Sequence, residues 1–469
     1  MMMSHSDSEQ AITSYSDALV KAPLLVAQCA IVGIVFNHIM LSRVFQKRIL
    51  IDSDKYSDIM QTDFGIAKRL FLILILSVTA LIASATGLLI LQVYNLSSEL
   101  GLGFSDTLPI VIDTSVGTVW LLRVVTSILI FVLAIVYYVL SRRNVFAKKI
   151  GRNSTSKISN TILFAILISG SINIISNSMV SHNAAAEFLP WLAISIDWFH
   201  VMAVSIWLGG LFYMSLILLY AIRISSKSLD YGTESSTKEE LVVRNSFSLA
   251  IMLPYFSMIA IICVGVIGIS GLYMAWLQLQ SIGSLFDSVY GNILILKLCV
   301  IAPMIALGAY HQIKLHFVMV QIAQRGCKSQ EQFEILSNTS QRRDSRDSHI
   351  GRGDHYDPFR RFSKTIKIES LIGIAVLVIS AFLTITSPPS MVQSDSQMQM
   401  QMQGSESVNN NLDSNSGGDE NEIRPKIIDG FTIAALILAA IVLILSLYYY
   451  RKSKQELKVT VDLLKKKEK

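Results

Sequence analysis

Several groups of side chains in this 469-residue chain carry donor atoms suited to a metal ion. Met179 and His182 stand three residues apart, and Asp197 and His200 repeat that spacing eighteen residues later. Residues i and i+3 share a helix face, so each pair directs its donors to one side. Thioether sulfur, imidazole nitrogen and carboxylate oxygen together suit a soft or borderline cation. A second group is Met398, Met400 and Met402, with Met391 just upstream, in a Gln-rich run. In an extended chain, alternate residues face one way, so the three sulfurs can converge. Neutral thioethers select Cu(I) over Zn2+ or Ca2+; the competing reading is a disordered linker. A third group, Asp347, His349, Asp354, His355 and Asp357, lies in an Arg-rich loop where such clusters also arise by chance. Cys29, Cys263, Cys299 and Cys327 form no CxxC pair, which supports neither a disulfide framework nor a zinc ribbon.

The elements that must position these groups are membrane helices. Hydrophobic residues make up 52% of the chain and charged residues 16%. Nine apolar stretches, at 24–42, 70–92, 119–140, 160–181, 189–222, 247–278, 291–320, 367–386 and 430–450, are long enough to cross a hydrocarbon core of about 30 Å. The expected fold is an all-α, polytopic transmembrane bundle embedded in a lipid bilayer. The polar intervals are too short and too rich in Ser, Asn, Gln and Arg for a large soluble catalytic domain, so no enzyme is expected. Lys and Arg divide 34 to 3 between alternate sides of the nine stretches. The positive-inside rule then puts the N-terminus outside and the C-terminus in the cytoplasm. The net charge of +6 is therefore a matter of topology and implies no nucleic acid, although the Lys run at 465–467 suits anionic headgroups. Residues 1–23 lack a basic n-region and read as an exterior segment rather than a cleaved signal. The bundle follows at 24–390, then an exterior Met/Gln-rich flexible linker at 391–428. A further helix with a basic cytoplasmic tail occupies 429–469.

Polar residues within the apolar stretches are expensive and mark candidate functional positions. The fourth stretch carries Ser169, Ser171, Asn173, Ser176, Asn177 and Ser178 in its outer half. Stretches four and five are joined by a short connection, so they are antiparallel neighbours, and His182 and His200 can approach near the outer leaflet. Gly209 and Gly210 admit another helix at close range, and Gly265, Gly268 and Gly271 suggest a second packing face. Arg123 and Lys297 need partners, which Asp197 or Asp113 can supply as a structural or gating ion pair rather than as part of the metal contact.

Four segments in register resemble one family. Asp197-Trp198-Phe199-His200, running on to Trp207-Leu208-Gly209-Gly210, resembles the D-x-x-H…W-x-G-G signature of the CopD-type copper-transport and copper-resistance membrane proteins. Tyr290-Gly291, Leu296-Lys297 and Leu307-Gly308-Ala309 are similar to its "YG…LK…LGA" helix. Glu369 to Gly373, ending at Pro388-Pro389, resembles its last helix, and Gly117, Trp120 and Arg123 an earlier one. His311 stands where members often have Asn. The Met-rich linker and ninth stretch are additions, and no copper-binding CopC-like β-domain is fused to the chain. The resemblance implies copper handling in the plasma membrane, with His182, Asp197 and His200 as the positions carried over.

Two other functions compete with copper transport. A b-type cytochrome would bind heme through His38 and His311 in one layer and His182 and His200 in another. A non-transporting assembly partner of an exterior copper-binding protein or copper enzyme would keep the same ligands without a path through the bundle.

Overall fold

A computed structural model describes residues 5–48, 56–149, 156–181, 189–228, 238–279, 281, 283–316, 318–319, 321 and 358–390, with scattered positions from 437 to 455. Among the described residues there are helices and no strands. In chain order they are α1 (His5–Arg48), α2 (Tyr56–Leu100), α3 (Phe104–Ile112), α4 (Ser115–Lys149), α5 (Ser156–Ser178), α6 (Pro190–Tyr213), α7 (Leu219–Ser228), α8 (Lys238–Leu279), α9 (Gly283–Asp287), α10 (Val289–Tyr310) and α11 (Pro358–Leu383). A π-helical turn, Met214–Leu218, joins α6 to α7, and a second, His311–Leu315, extends α10.

Eight of the expected stretches are apolar helices long enough to span a membrane. The first begins earlier than expected: its span is Tyr15–Leu41, so Asp17 and Lys21 lie within it. The ninth falls outside the described residues except for scattered helical positions such as Ile441 and Ile444, both exposed. Leu76 is 71% exposed, and Leu72, Leu121, Val125 and Ile128 are exposed as well, whereas Arg123, Asn173, Ser176 and Glu369 are buried. Polar groups inside and apolar groups outside suit a lipid surround, where every backbone group is satisfied within its own helix. The chain is a multi-pass membrane protein.

At the centre, α1 packs on α2, α5, α6, α8 and α11. Its contact with α6 is backbone on backbone: a Cβ on Gly33 would fall 2.6 Å from Gly209 Cα. The expected Gly209-Gly210 seat is thus occupied by α1, and Asn37 holds the crossing by donating to Gly33 O at 2.8 Å and Ile206 O at 2.9 Å.

The polar half of α5 is consumed by structure. Asn173 Nδ2 donates to Thr126 Oγ1 at 2.8 Å, and Gln28 Nε2 to Asn173 Oδ1 at 2.8 Å. Arg123 Nε donates to Ser176 Oγ at 2.8 Å and its NH2 to Asn177 Oδ1 at 2.8 Å, with the guanidinium against the Trp120 ring. These bonds tie α1, α4 and α5 together. Arg123 is therefore held by neutral acceptors and an aromatic face rather than by the expected carboxylate, and Asp113 instead caps the end of α3.

Candidate metal-capture site

The N-terminal ends of α1, α4, α6 and α10 meet the C-terminal ends of α2, α5, α8 and α11 at one end of the bundle. The charge count expects this end outside. Here α6 supplies Asp197 and His200 one turn apart, after Pro190 has started the helix with its fixed φ. α5 supplies its terminus. It stops at Ser178, so Met179 lies in a turn, with Met179 N donating to Ile175 O at 3.0 Å and Ser181 N to Ser178 O at 3.4 Å. Met179 thus follows the last residue of α5, in a tightened helix end. Met179 is exposed, and His182 lies outside the described residues.

Ser178 and Ser181, at the end of α5, lie near the Asp197 carboxylate, which brings the Met179 turn to α6; the Ser181 hydroxyl itself donates to Ser178 O at 2.9 Å. The same carboxylate interacts electrostatically with Lys297 of α10 and Lys21 of α1. Pairing of Lys297 with Asp197 was expected; Lys21 was not, because the first span had been started beyond it. Lys297 acts on His200 too. The site therefore contains two carboxylates, Asp197 and Asp17, among two ammonium groups, with Arg123 close enough to act on Lys21.

His200 is oriented from α8. Its Nδ1 lies 2.9 Å from Ser270 Oγ, while Ser270 Oγ donates to Val266 O at 2.5 Å. A hydroxyl has a single hydrogen, and here it is directed to the helix carbonyl. Ser270 therefore accepts from His200 Nδ1–H, which leaves Nε2 as the lone-pair nitrogen, the form that binds a metal. Gly271 makes room for the ring: a Cβ there would sit 3.4 Å from His200 Cε1. Of the three α8 glycines expected to form a packing face, Gly271 meets an imidazole rather than a helix backbone.

Among the described residues no three His, Cys, Asp or Glu side chains converge on one point. Met391, Met398, Met400 and Met402 lie outside the described residues, as do Asp347, His349, Asp354, His355 and Asp357. The cysteines Cys29, Cys263 and Cys299 are free.

At the opposite end, His38 packs its ring 5.8 Å from Tyr213, with Nε2 3.5 Å from Tyr137 OH. His311 has Nδ1 3.2 Å from Glu369 Oε2 and Nε2 2.7 Å from Thr365 Oγ1. The two ring nitrogens of His311 thus face Glu369 and Thr365.

Comparison with known proteins adds two matches. Residues 250–383 match the family model described as copper resistance protein D. This segment contains Ser270, Lys297, His311 and Glu369, whereas Asp197 and His200 precede it. The chain is also 28% identical over 217 residues to the copper transport protein CutJ of Bacillus subtilis strain 168, an alignment covering 46% of this chain and 29% of that protein. The chain thus spans less than a third of the length of that relative. No solved structure matches it. The resemblance to CopD-type membrane proteins rests on these matches together with the motifs.

Proposed function

We propose that this protein carries copper across the plasma membrane, with the ion as cargo captured at the α5–α6 end by His200 Nε2, Asp197, Met179 and His182. The observation that carries this reading is the contact of His200 Nδ1 with Ser270, which leaves Nε2 open on the helix that also carries Asp197 one turn earlier, at the end expected to face outside. The similarity to copper resistance protein D and CutJ supports copper as the ion. An ion entering a bilayer must exchange water for protein ligands before it reaches hydrocarbon, and these donors suit that exchange.

The nearby ammonium groups set the character of the site. Lys21 and Lys297 each oppose a bound cation through like-charge repulsion. Asp197 acts on both ammonium groups and Asp17 on Lys21, which tempers the repulsion. The result is a place of brief residence, suited to passage rather than storage. Met398, Met400 and Met402 gather Cu(I) near this mouth by raising its effective concentration, and an exterior copper-binding protein or copper enzyme serves as donor or acceptor.

The test is copper uptake by vesicles containing the purified protein. Replacing His182 and His200 together by Ala abolishes uptake while the protein remains folded in the membrane; normal uptake at normal protein levels rejects the site. Changing the three linker methionines to Leu reduces uptake most at low copper and hardly at saturation. An equal loss at all concentrations places them in the conduction path instead.

A further inference from the structure

The other end of the bundle holds a second polar pair that copper capture does not use. Glu369 is 1% exposed and His311 4%. Glu369 lies ten residues into the span Phe359–Leu383, and the Nδ1 to Oε2 distance across to α10 is 3.2 Å. Glu369 Oε2 receives no hydrogen bond from any described group. A buried carboxylate kept for structure would have its oxygens satisfied, so this one needs an explanation.

The hydrogens around the pair can be assigned. Thr365 Oγ1 donates within its own helix, to Arg361 O at 3.0 Å and Phe362 O at 3.2 Å. It therefore accepts from His311 Nε2–H at 2.7 Å. In a neutral imidazole the other nitrogen, Nδ1, is then a bare acceptor. Nδ1 and the carboxylate oxygen are then two acceptors 3.2 Å apart with no hydrogen bond between them, and their repulsion is relieved when one of the two takes up a proton. That proton belongs to the pair as a unit, whichever atom carries it.

The surroundings let the pair move. His311 is the first residue of the second π-helical turn. The first π-helical turn touches the same step of α11, since Ser370 Oγ lies 3.5 Å from Ser215 Oγ. Gly308 leaves space beside Glu369, where a Cβ would sit 3.4 Å from Oε1. π-Turns are local departures from helix register and concentrate at functional sites. Two of them on different helices meet the Glu369–Ser370 step.

We propose that the His311–Glu369 contact is a reversible proton-binding site, and that its occupancy sets the register of the π-helical turns against α11. With the proton present, imidazole and carboxylate are bridged and the turns are held together. With it removed, two acceptors face each other and separate, and α10 shifts at its π-turn. The titratable and charged groups at this end come from each packed element. α1 contributes His38, α2 Arg69, which donates to Leu216 O of the first π-turn at 3.0 Å, and α6 Tyr213. α7 contributes Arg223, which donates to Ser363 Oγ at 3.2 Å, α10 Tyr310, and its π-turn and the residue beyond Lys314 and His316. α11 adds Arg360, Arg361, Lys364 and Lys367, and α8 has no Asp, Glu, Lys, Arg or His between 252 and 279.

The site is tested in the full chain, reconstituted in lipid vesicles without copper, so its outcome is separate from that of the copper reading. Infrared difference spectra between about pH 5 and pH 8 give a protonated-carboxyl band that appears and disappears with pH. The band is lost in Glu369→Gln, and its midpoint moves in His311→Gln. Should Glu369→Gln fail to fold, Glu369→Asp keeps the carboxyl and retains a titrating band at a shifted position. Spin labels at the exposed positions Ile305 and Leu371 report a separation change of ~2 Å over the same range, absent in Glu369→Gln. A spectrum with no titrating carboxyl, or a titrating band that persists in Glu369→Gln, overturns the site. An unchanged label separation while the band titrates overturns the coupling to the turns.

Discussion

At the scale of single residues, the proposed capture site depends on a group that touches no cargo. Ser270 fixes which nitrogen of His200 is free, by accepting from Nδ1 while giving its own hydrogen to Val266 O. Ser270→Ala removes that acceptor and lets the ring turn or change tautomer. Copper affinity, measured by competition with a chelator, then falls about 10- to 100-fold, the usual effect of losing a group that orients a metal-binding histidine. Ser270→Thr keeps the hydroxyl and restores binding, whereas a merely structural role for Ser270 would change stability and leave affinity alone. The Asp197 and His200 pair was legible in the sequence because its two members share one helix turn. Ser270 was not, since a lone serine seventy residues away carries no spacing signal. Lys21 was missed for another reason. Hydropathy places a helix start where charges end, while this helix carries Asp17 and Lys21 inside its span, Lys21 interacting with Asp17 of the same helix and with Asp197 of α6.

At the scale of elements, the crossing of α1 and α6 positions everything near Asp197. Gly33 and Gly209 meet backbone to backbone, so any side chain at either point must push the helices apart. Gly33→Leu costs about 3 kcal/mol or more through overpacking and lowers the midpoint of thermal unfolding, read by tryptophan fluorescence of the detergent-solubilised protein. Gly87→Ala is a suitable contrast: a Cβ there meets only Val20 Cγ1, the end of a side chain, and the loss is small. The long helices were readable as unbroken apolar runs, and the Gly-Gly seat from the absence of side chains. α3 and α9 were not, being nine and five residues long and too short to show a period. Neither were the two π-turns, because the extra residue in a turn changes which side chains align without changing composition.

At the scale of the whole molecule, the charge split leads us to expect the proposed capture end outside and the His311–Glu369 end in the cytoplasm. Single cysteines at Ser98 and Gly283, placed in a variant whose four native cysteines are replaced by Ser, are expected to react with an impermeant reagent applied from outside, and one at Ser154 is expected to be protected. The opposite pattern reverses the direction in which the capture site faces. The polar network of the first span also bears on how the chain is made. Gln28 bonds to Asn173, Asn37 bonds to Ile206 O, and His38 lies near Tyr137 and Tyr213, so each waits for residues at least 99 positions later in synthesis. Until those helices emerge from the ribosome, the first helix carries unsatisfied amides in hydrocarbon. The nascent helix is therefore best held beside the insertion machinery and released into lipid only once α6 has arrived to cover Gly33 and Asn37.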